Sequence, residues 1–145
     1  MSDKIALRLN QLLADYSVFY QKLRIYHWTV KGPMFFQLHV KFEEMYNAAA
    51  LSVDEIAERI VGLGARPLGR MADYVSTTSL SEADSSPEAA DMVRNLIADQ
   101  RSLVAGLREG SAEAADADDI LTANMLEEMA DNEEKSAWML QAYLG

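Results

Sequence analysis

The chain has two histidines. Both belong to one constellation with three acids, His27, His39, Glu43, Asp54 and Glu58, spaced H-x11-H-x3-E-x10-D-x3-E. Neutral imidazoles and ionised carboxylates are the nitrogen and oxygen donors that first-row divalent metals accept. The chain has no cysteine, which removes thiolate metal sites, disulfides and cysteine nucleophiles. Residues four apart share a helix face, so His39/Glu43 and Asp54/Glu58 form two ready-made ligand pairs. A single histidine four residues from an acid is more often structural or solvated. Two such pairs on one face point to metal.

One helix over residues 35–63 would carry both pairs. The step from Glu43 to Asp54 is then about three turns, or roughly 16 Å, too far for one ion to touch both. At about 100° per residue the apolar Leu38, Phe42, Met45, Ala49 and Ile56 lie within about 40° of their mean direction, and the ligand stripe lies about 150° away from them. The stripe also holds Asn47, Ala50, Ala57 and Val61, which are small or apolar for a face turned to water. Such a face is suited to contact another helix. If two copies pack antiparallel about a two-fold axis near Ala49 and Ala50, His39/Glu43 of one comes opposite Asp54/Glu58 of the other, and two identical half-chain sites result. The Ala48-Ala49-Ala50 run lies where the helices would approach most closely.

With 145 residues, half of them hydrophobic, the chain reads as one domain, 1–145, able to bury a sizeable core. No apolar run approaches a membrane span, and Met1-Ser2-Asp3-Lys4 lacks a signal pattern, so the expected location is cytoplasmic. A net charge of −10 opposes general affinity for nucleic acid or anionic membranes, both of which require clustered Lys and Arg. Cations are the natural partners.

An all-α architecture must position these donors. Ile5, Leu9, Leu12, Tyr16, Phe19, Leu23 and Tyr26 alternate spacings of four and three, which predicts a bundle helix over residues 3–30. Lys31-Gly32-Pro33 breaks it and leaves His27 in the last turn, beside the start of helix two. Gly62 to Pro67 ends helix two. Residues 65–85 read as a long crossover with a short helix near Ala72 to Ser76, suited to helices two and three running parallel. Ser86-Pro87-Glu88 reads as N-cap, first-turn proline and acid of a third helix running through Arg108 and ended by Gly110. A fourth is expected from Asp116 to Tyr143, with Ile120, Leu121, Leu126, Met129, Ala137 and Leu140 available to the core.

The string Tyr26-His27-Trp28-Thr29-Val30-Lys31-Gly32, then Phe36, His39, Glu43 and Asp54-Glu55-Ile56-Ala57-Glu58-Arg59, resembles the Dps family of miniferritins. The likeness covers essentially the whole chain and includes the late Trp138. It implies a ferritin-like four-helix bundle with a long crossover between helices two and three. It also implies a dodecameric shell that oxidises Fe(II) with hydrogen peroxide or oxygen and stores Fe(III) mineral, with zinc as a surrogate ion. By position, His27, His39 and Glu43 resemble the ligands of one subunit, and Asp54 and Glu58 those of its two-fold mate. Glu43 stands where Asp is more usual in the family. Trp28 resembles the tryptophan beside the centre, an electron donor for stray oxidising equivalents. Asp116 and Asp119 fall where the family lines its three-fold pores, although Asn124 replaces a further acid one turn on. Glu127, Glu128, Asp131, Glu133 and Glu134 are candidates for an inner wall that nucleates mineral, with a solvated face as the plainer reading.

Two rival functions follow from the same residues. Some family members coat DNA with a basic tail, whereas here Lys4 stands alone before the first helix, so DNA binding is not expected unless divalent metal bridges acidic surface to phosphate. A metal-free helical scaffold would be indifferent to His27→Ala. An ordinary ferritin centre inside the bundle needs Glu-x-x-His motifs, which the sequence lacks.

Overall fold

The computed structural model describes residues 3–83 and 85–145. Over these the chain forms α1 (Asp3–Thr29), α2 (Phe35–Gly62), α3 (Met71–Thr77), α4 (Ala89–Asp116) and α5 (Ile120–Leu144). No described helix is long and apolar enough to cross a membrane. The direction of each helix can be read from its polar contacts. Arg8 near the start of α1 pairs with Glu113 near the end of α4, and Tyr26 near the end of α1 accepts from Asn95 near the start of α4, so α1 and α4 run antiparallel. The tight turn at residues 30–34 makes α2 antiparallel to α1, so α2 and α4 run parallel. The crossover with its short helix α3 supplies the length that such a connection needs.

The four- and three-residue spacing in α1 closes as expected: Leu9, Leu12, Tyr16, Phe19 and Leu23 are buried against Phe42, Ile56, Ile60, Leu96, Leu103 and Leu126. Crossover residues are fastened to α1 through Asp15, whose buried carboxylate accepts from Thr78 Oγ1 at 2.7 Å and from the Ser79 amide at 2.7 Å. Asn10 does the same further back, accepting from the Leu68 amide at 2.9 Å.

Three sequence expectations are corrected. Gly110 does not end the third long helix; α4 continues to Asp116, and Gly110 lies buried within it. A Cβ there would come within 2.9 Å of both Arg8 Cγ and Leu126 Cδ1, so this glycine serves close helix approach rather than termination. The last helix starts at Ile120, not Asp116, with Asp119 as its N-cap. Ile120 and Leu121 point outward, 56% and 71% exposed, because at about 100° per residue both lie more than 100° from the mean direction of the buried Leu126, Met129 and Leu140.

A polar cluster crosses the bundle interior. Tyr16 donates to Glu133 Oε2 at 2.9 Å, and Gln100 Nε2 donates to Glu133 Oε1 at 3.3 Å and to Ser136 Oγ at 2.8 Å. Glu133 therefore leaves the set of candidate inner-wall acids: its side chain is engaged inside the bundle. Burial raises its pKa above the ordinary carboxylate value, against the opposing pull of the Tyr16 and Gln100 hydrogen bonds. Among the described residues, Gln100 Oε1 is a buried side-chain atom with no hydrogen-bond partner.

A raised acid pKa means that the folded chain holds this proton more tightly than the unfolded chain. Stability is therefore lost as pH rises from the unfolded value through the folded one. Glu133→Gln removes that ionisation and offers an amide N–H to Gln100 Oε1. The variant is expected to be more stable at neutral pH by about 1 kcal/mol, with a flatter pH dependence of the thermal midpoint. A lower midpoint at neutral pH would show that the fold prefers the carboxylate.

Candidate metal centre

The reversal between α1 and α2 is tight enough to bring residues twelve apart in sequence into reciprocal contact. The Val30 amide donates to Tyr26 O at 2.9 Å, the Phe35 amide donates to Gly32 O at 3.1 Å, and Gly32 takes φ 107°, a backbone region that favours glycine. His27 Nδ1 lies 2.6 Å from His39 O, and His39 Nδ1 lies 2.8 Å from His27 O. A carbonyl can only accept, so both Nδ1 atoms carry the hydrogen. In each neutral ring the Nε2 lone pair is then free for a ligand.

The two rings stack at 3.8 Å and 12°. Phe35 stacks against His39 at 4.8 Å, and Tyr46 meets His27 edge-on at 5.4 Å and 82°. This packing fixes both imidazoles before any ion arrives. His27 is buried, and Glu43, on the exposed side, brings Oε1 to 3.7 Å from His27 Nε2. The structure thus gathers His27, His39 and Glu43 at one end of α2.

Asp54 and Glu58 are not gathered there. Both are exposed, further along the outward stripe of the same helix. Among the described residues, no group of three or more His, Asp or Glu side chains stands close enough to hold an ion within one chain. The stripe between the two halves is apolar for a water-facing surface. Phe36, Val40, Leu51 and Val61 are 78%, 55%, 73% and 60% exposed. At about 100° per residue all four fall on the ligand face. Ala49 turns into the core, so Ala50, which is exposed, and half-buried Ala57 are the small residues on that face.

Other candidate residues lie elsewhere. Trp28 is 54% exposed, with the Arg24 guanidinium 4.9 Å from its ring centroid. Asp116 is exposed at the end of α4. Asp119 is engaged: it accepts from Thr122 N at 3.2 Å and from Thr122 Oγ1 at 2.6 Å, and pairs with Arg59 at 2.9 Å. Burial pushes its pKa up, but the Thr122 hydrogen bonds and the Arg59 charge outweigh it and hold the carboxyl below its usual range. Its cap and ion pair fasten the end of α2, next to Glu58, to the start of α5. In the acidic run of α5, Glu127 and Glu128 are exposed, Asp131 pairs with Lys135 and Glu134 pairs with Arg108.

Sequence reasoning missed Tyr46, Phe35 and the His27–His39 exchange. Aromatic residues at positions 35 and 46, four before His39 and three after Glu43, were the available signal. They read as ordinary packing residues without the hairpin geometry.

Comparison with known proteins gives a consistent result. Residues 6–145 match the family described as ferritin-like domain. The Bacillus anthracis protein named DNA protection during starvation protein 2 is 40% identical over 144 residues, covering 99% of each chain. The crystal structure of Dps from Staphylococcus aureus superposes with TM-score 0.97 at 38% identity, covering 99% of this chain and 97% of that one. A Dps protein from Vibrio cholerae O1, described as a member of a broad superfamily of ferritin-like diiron-carboxylate proteins, has TM-score 0.95 at 37% identity, covering 98% of this chain and 89% of that one.

Proposed function

The chain belongs to the Dps family of ferritin-like proteins, and from that premise we propose that it is a ferroxidase that stores iron. Fe(II) is the substrate, and the site is shared by two copies. His27 and His39 present their Nε2 atoms and Glu43 its carboxylate, while Asp54 and Glu58 of the partner subunit complete the set. The observation that carries this reading is the fixed imidazole pair beside Glu43, left short of donors by its own chain while Asp54 and Glu58 stand free on the same stripe.

Imidazole and carboxylate suit Fe(II), and a donor set this sparse leaves positions open for the oxidant. Two Fe(II) reduce one H2O2 with two protons to two waters and two Fe(III). Both electrons then come from iron, and no hydroxyl radical is released. The residues contribute alignment: the imidazoles are held by carbonyls and stacked rings, so little reorganisation is needed when the ion arrives. The Fe(III) product is stored in a closed dodecameric shell, whose acidic surface draws further cations. Relatives carry names that speak of DNA protection. For a chain with net charge −10 we read any such protection as removal of iron and peroxide rather than coating of DNA. Zinc, which has no redox chemistry, is expected to occupy the same donors and slow oxidation.

Stopped-flow absorbance of Fe(III) formation in the near ultraviolet tests the assignment. Asp54→Ala is expected to slow oxidation by about tenfold or more with the assembly intact by light scattering, because the remaining donors hold Fe(II) weakly. Wild-type rates in that variant would remove Asp54 from the site.

A further inference from the structure

We propose that Glu133 and Tyr16 form a proton-operated switch inside the bundle: when the Glu133 carboxyl takes up a proton, the Tyr16 hydroxyl turns away from it and donates to Ser52 on α2. The switch does not depend on the ferroxidase reading.

Side chains from all four long helices meet here. Tyr16 of α1 and Gln100 of α4 are fully buried, and Glu133 of α5 and Ser52 of α2 are half-buried. The Tyr16 hydroxyl lies 2.9 Å from Glu133 Oε2, and Gln100 Nε2 lies 3.3 Å from Glu133 Oε1 and 2.8 Å from Ser136 Oγ. Ser52 is the other side chain that acts on the Tyr16 phenol as a hydrogen-bond partner.

Donor and acceptor chemistry decides where a proton can go. An amide nitrogen only donates, so Glu133 Oε1 accepts from Gln100 whatever the charge on the acid. The proton of the neutral acid therefore sits on Oε2, facing Tyr16. One hydrogen fits between two oxygens 2.9 Å apart, so the phenol must then accept and send its own hydrogen elsewhere. Ser52 supplies the acceptor. Turning the Gln100 amide over instead would put an N–H where Gln100 Oε1 is buried without a partner, and a buried orphan N–H is rarer than a buried orphan carbonyl.

The influences on Glu133 are burial, which is the largest and raises its pKa, and the hydrogen bonds of Tyr16 and Gln100, with no cation among them. Burial therefore draws a proton to this acid above the ordinary carboxylate range. The titratable groups around it are the Tyr16 phenol, kept protonated by burial and by the charge of Glu133, and exposed Glu55 of α2, whose charge acts on Tyr16. Glu134 and Arg108 pair with each other on the outer side.

Acid-minus-neutral difference infrared spectroscopy tests this on the assembled protein, with tyrosine isotope-labelled at the ring carbon that bears oxygen. As pH falls, the wild type is expected to gain a carbonyl band of a buried neutral acid that Glu133→Gln lacks. A tyrosine C–O band that Tyr16→Phe lacks should move with the same midpoint. Ser52→Ala leaves the phenolic hydrogen of the neutral form without an acceptor, whereas the ionised form loses only a partner to an oxygen lone pair. Its midpoint should therefore fall by about one pH unit. Alanine suits a helix, so this variant is expected to assemble, as light scattering checks. An unmoved midpoint in Ser52→Ala, a Tyr16 band that stays still while Glu133 titrates, or no neutral-acid band from Glu133 before the assembly is lost would overturn the switch. So would a Gln100 amide band moving with that midpoint, which would mark the amide as the part that turns.

Discussion

Equal amounts of His39→Ala and Asp54→Ala chains, unfolded and refolded together, are expected to regain about a quarter of the wild-type Fe(II) oxidation rate. Each variant by itself should be nearly inactive. The arithmetic follows from the proposed shared site. Random pairing makes about half of the two-fold pairs mixed, and each mixed pair has one intact site and one that has lost both ligands. Pairs of like variants have none. A site contained in one chain would give no recovery, because every chain in the mixture carries a defect. A mixture no faster than its components, at full assembly by light scattering, would therefore reject the two-chain centre. Recovery is an increase over two inactive samples, so partial misfolding of either variant cannot imitate it.

Lys22→Met is expected to cost about 3–5 kcal/mol of stability, the largest effect of any single substitution considered for this fold. Lys22 Nζ lies 2.8 Å from Asp99 Oδ2, with side chains 7% and 12% exposed. Burial raises the Asp99 pKa, and the hydrogen bond and charge of Lys22 oppose that rise. Without Lys22 the carboxylate is left buried and unpaired, and its pKa climbs further. An acid with a raised folded pKa loses stability as pH increases, so the deficit should be greatest at neutral pH and shrink as acid protonates Asp99. Lys22→Met with Asp99→Leu removes both charges and should recover most of the loss. Urea denaturation at fixed protein concentration measures all three states. An equal deficit in the single and double variants would show that the unpaired Asp99 charge is not the cause of the loss.

The sequence was most readable where periodicity alone decides structure. The outward set Asn47, Ala50, Asp54, Ala57 and Glu58 and the inward set Leu38, Phe42, Met45, Ala49 and Ile56 follow from helix geometry, and α2 presents them as expected, Ile56 being fully buried and Asp54 exposed. The break at Gly32 was legible from glycine and proline chemistry. Gly110 was not, because the same residue serves both helix ends and close contacts, and only Arg8 and Leu126 from other helices decide between them. Leu121 was legible and misread: at about 100° per residue it lies more than 100° from the mean direction of Leu126, Met129 and Leu140, so it could not share their buried face. Glu133 read as one acid among several, and its partners Tyr16 and Gln100 lie on other helices. At the candidate metal centre the proposed donors could be named from residue type and spacing. The bonds that fix their tautomers were not, since they run from side chain to backbone across a turn.

Because α2 carries half of one proposed centre near its start and half of another further along, this single rod acts as a yardstick for both. Inserting one residue between Glu43 and Asp54 would swing the second half by about 100° and advance it by roughly 1.5 Å. The two-fold symmetry would then apply the same error to each centre of the pair, so the length of this stretch is constrained twice over. Loops elsewhere, such as the crossover around α3, carry no comparable restriction.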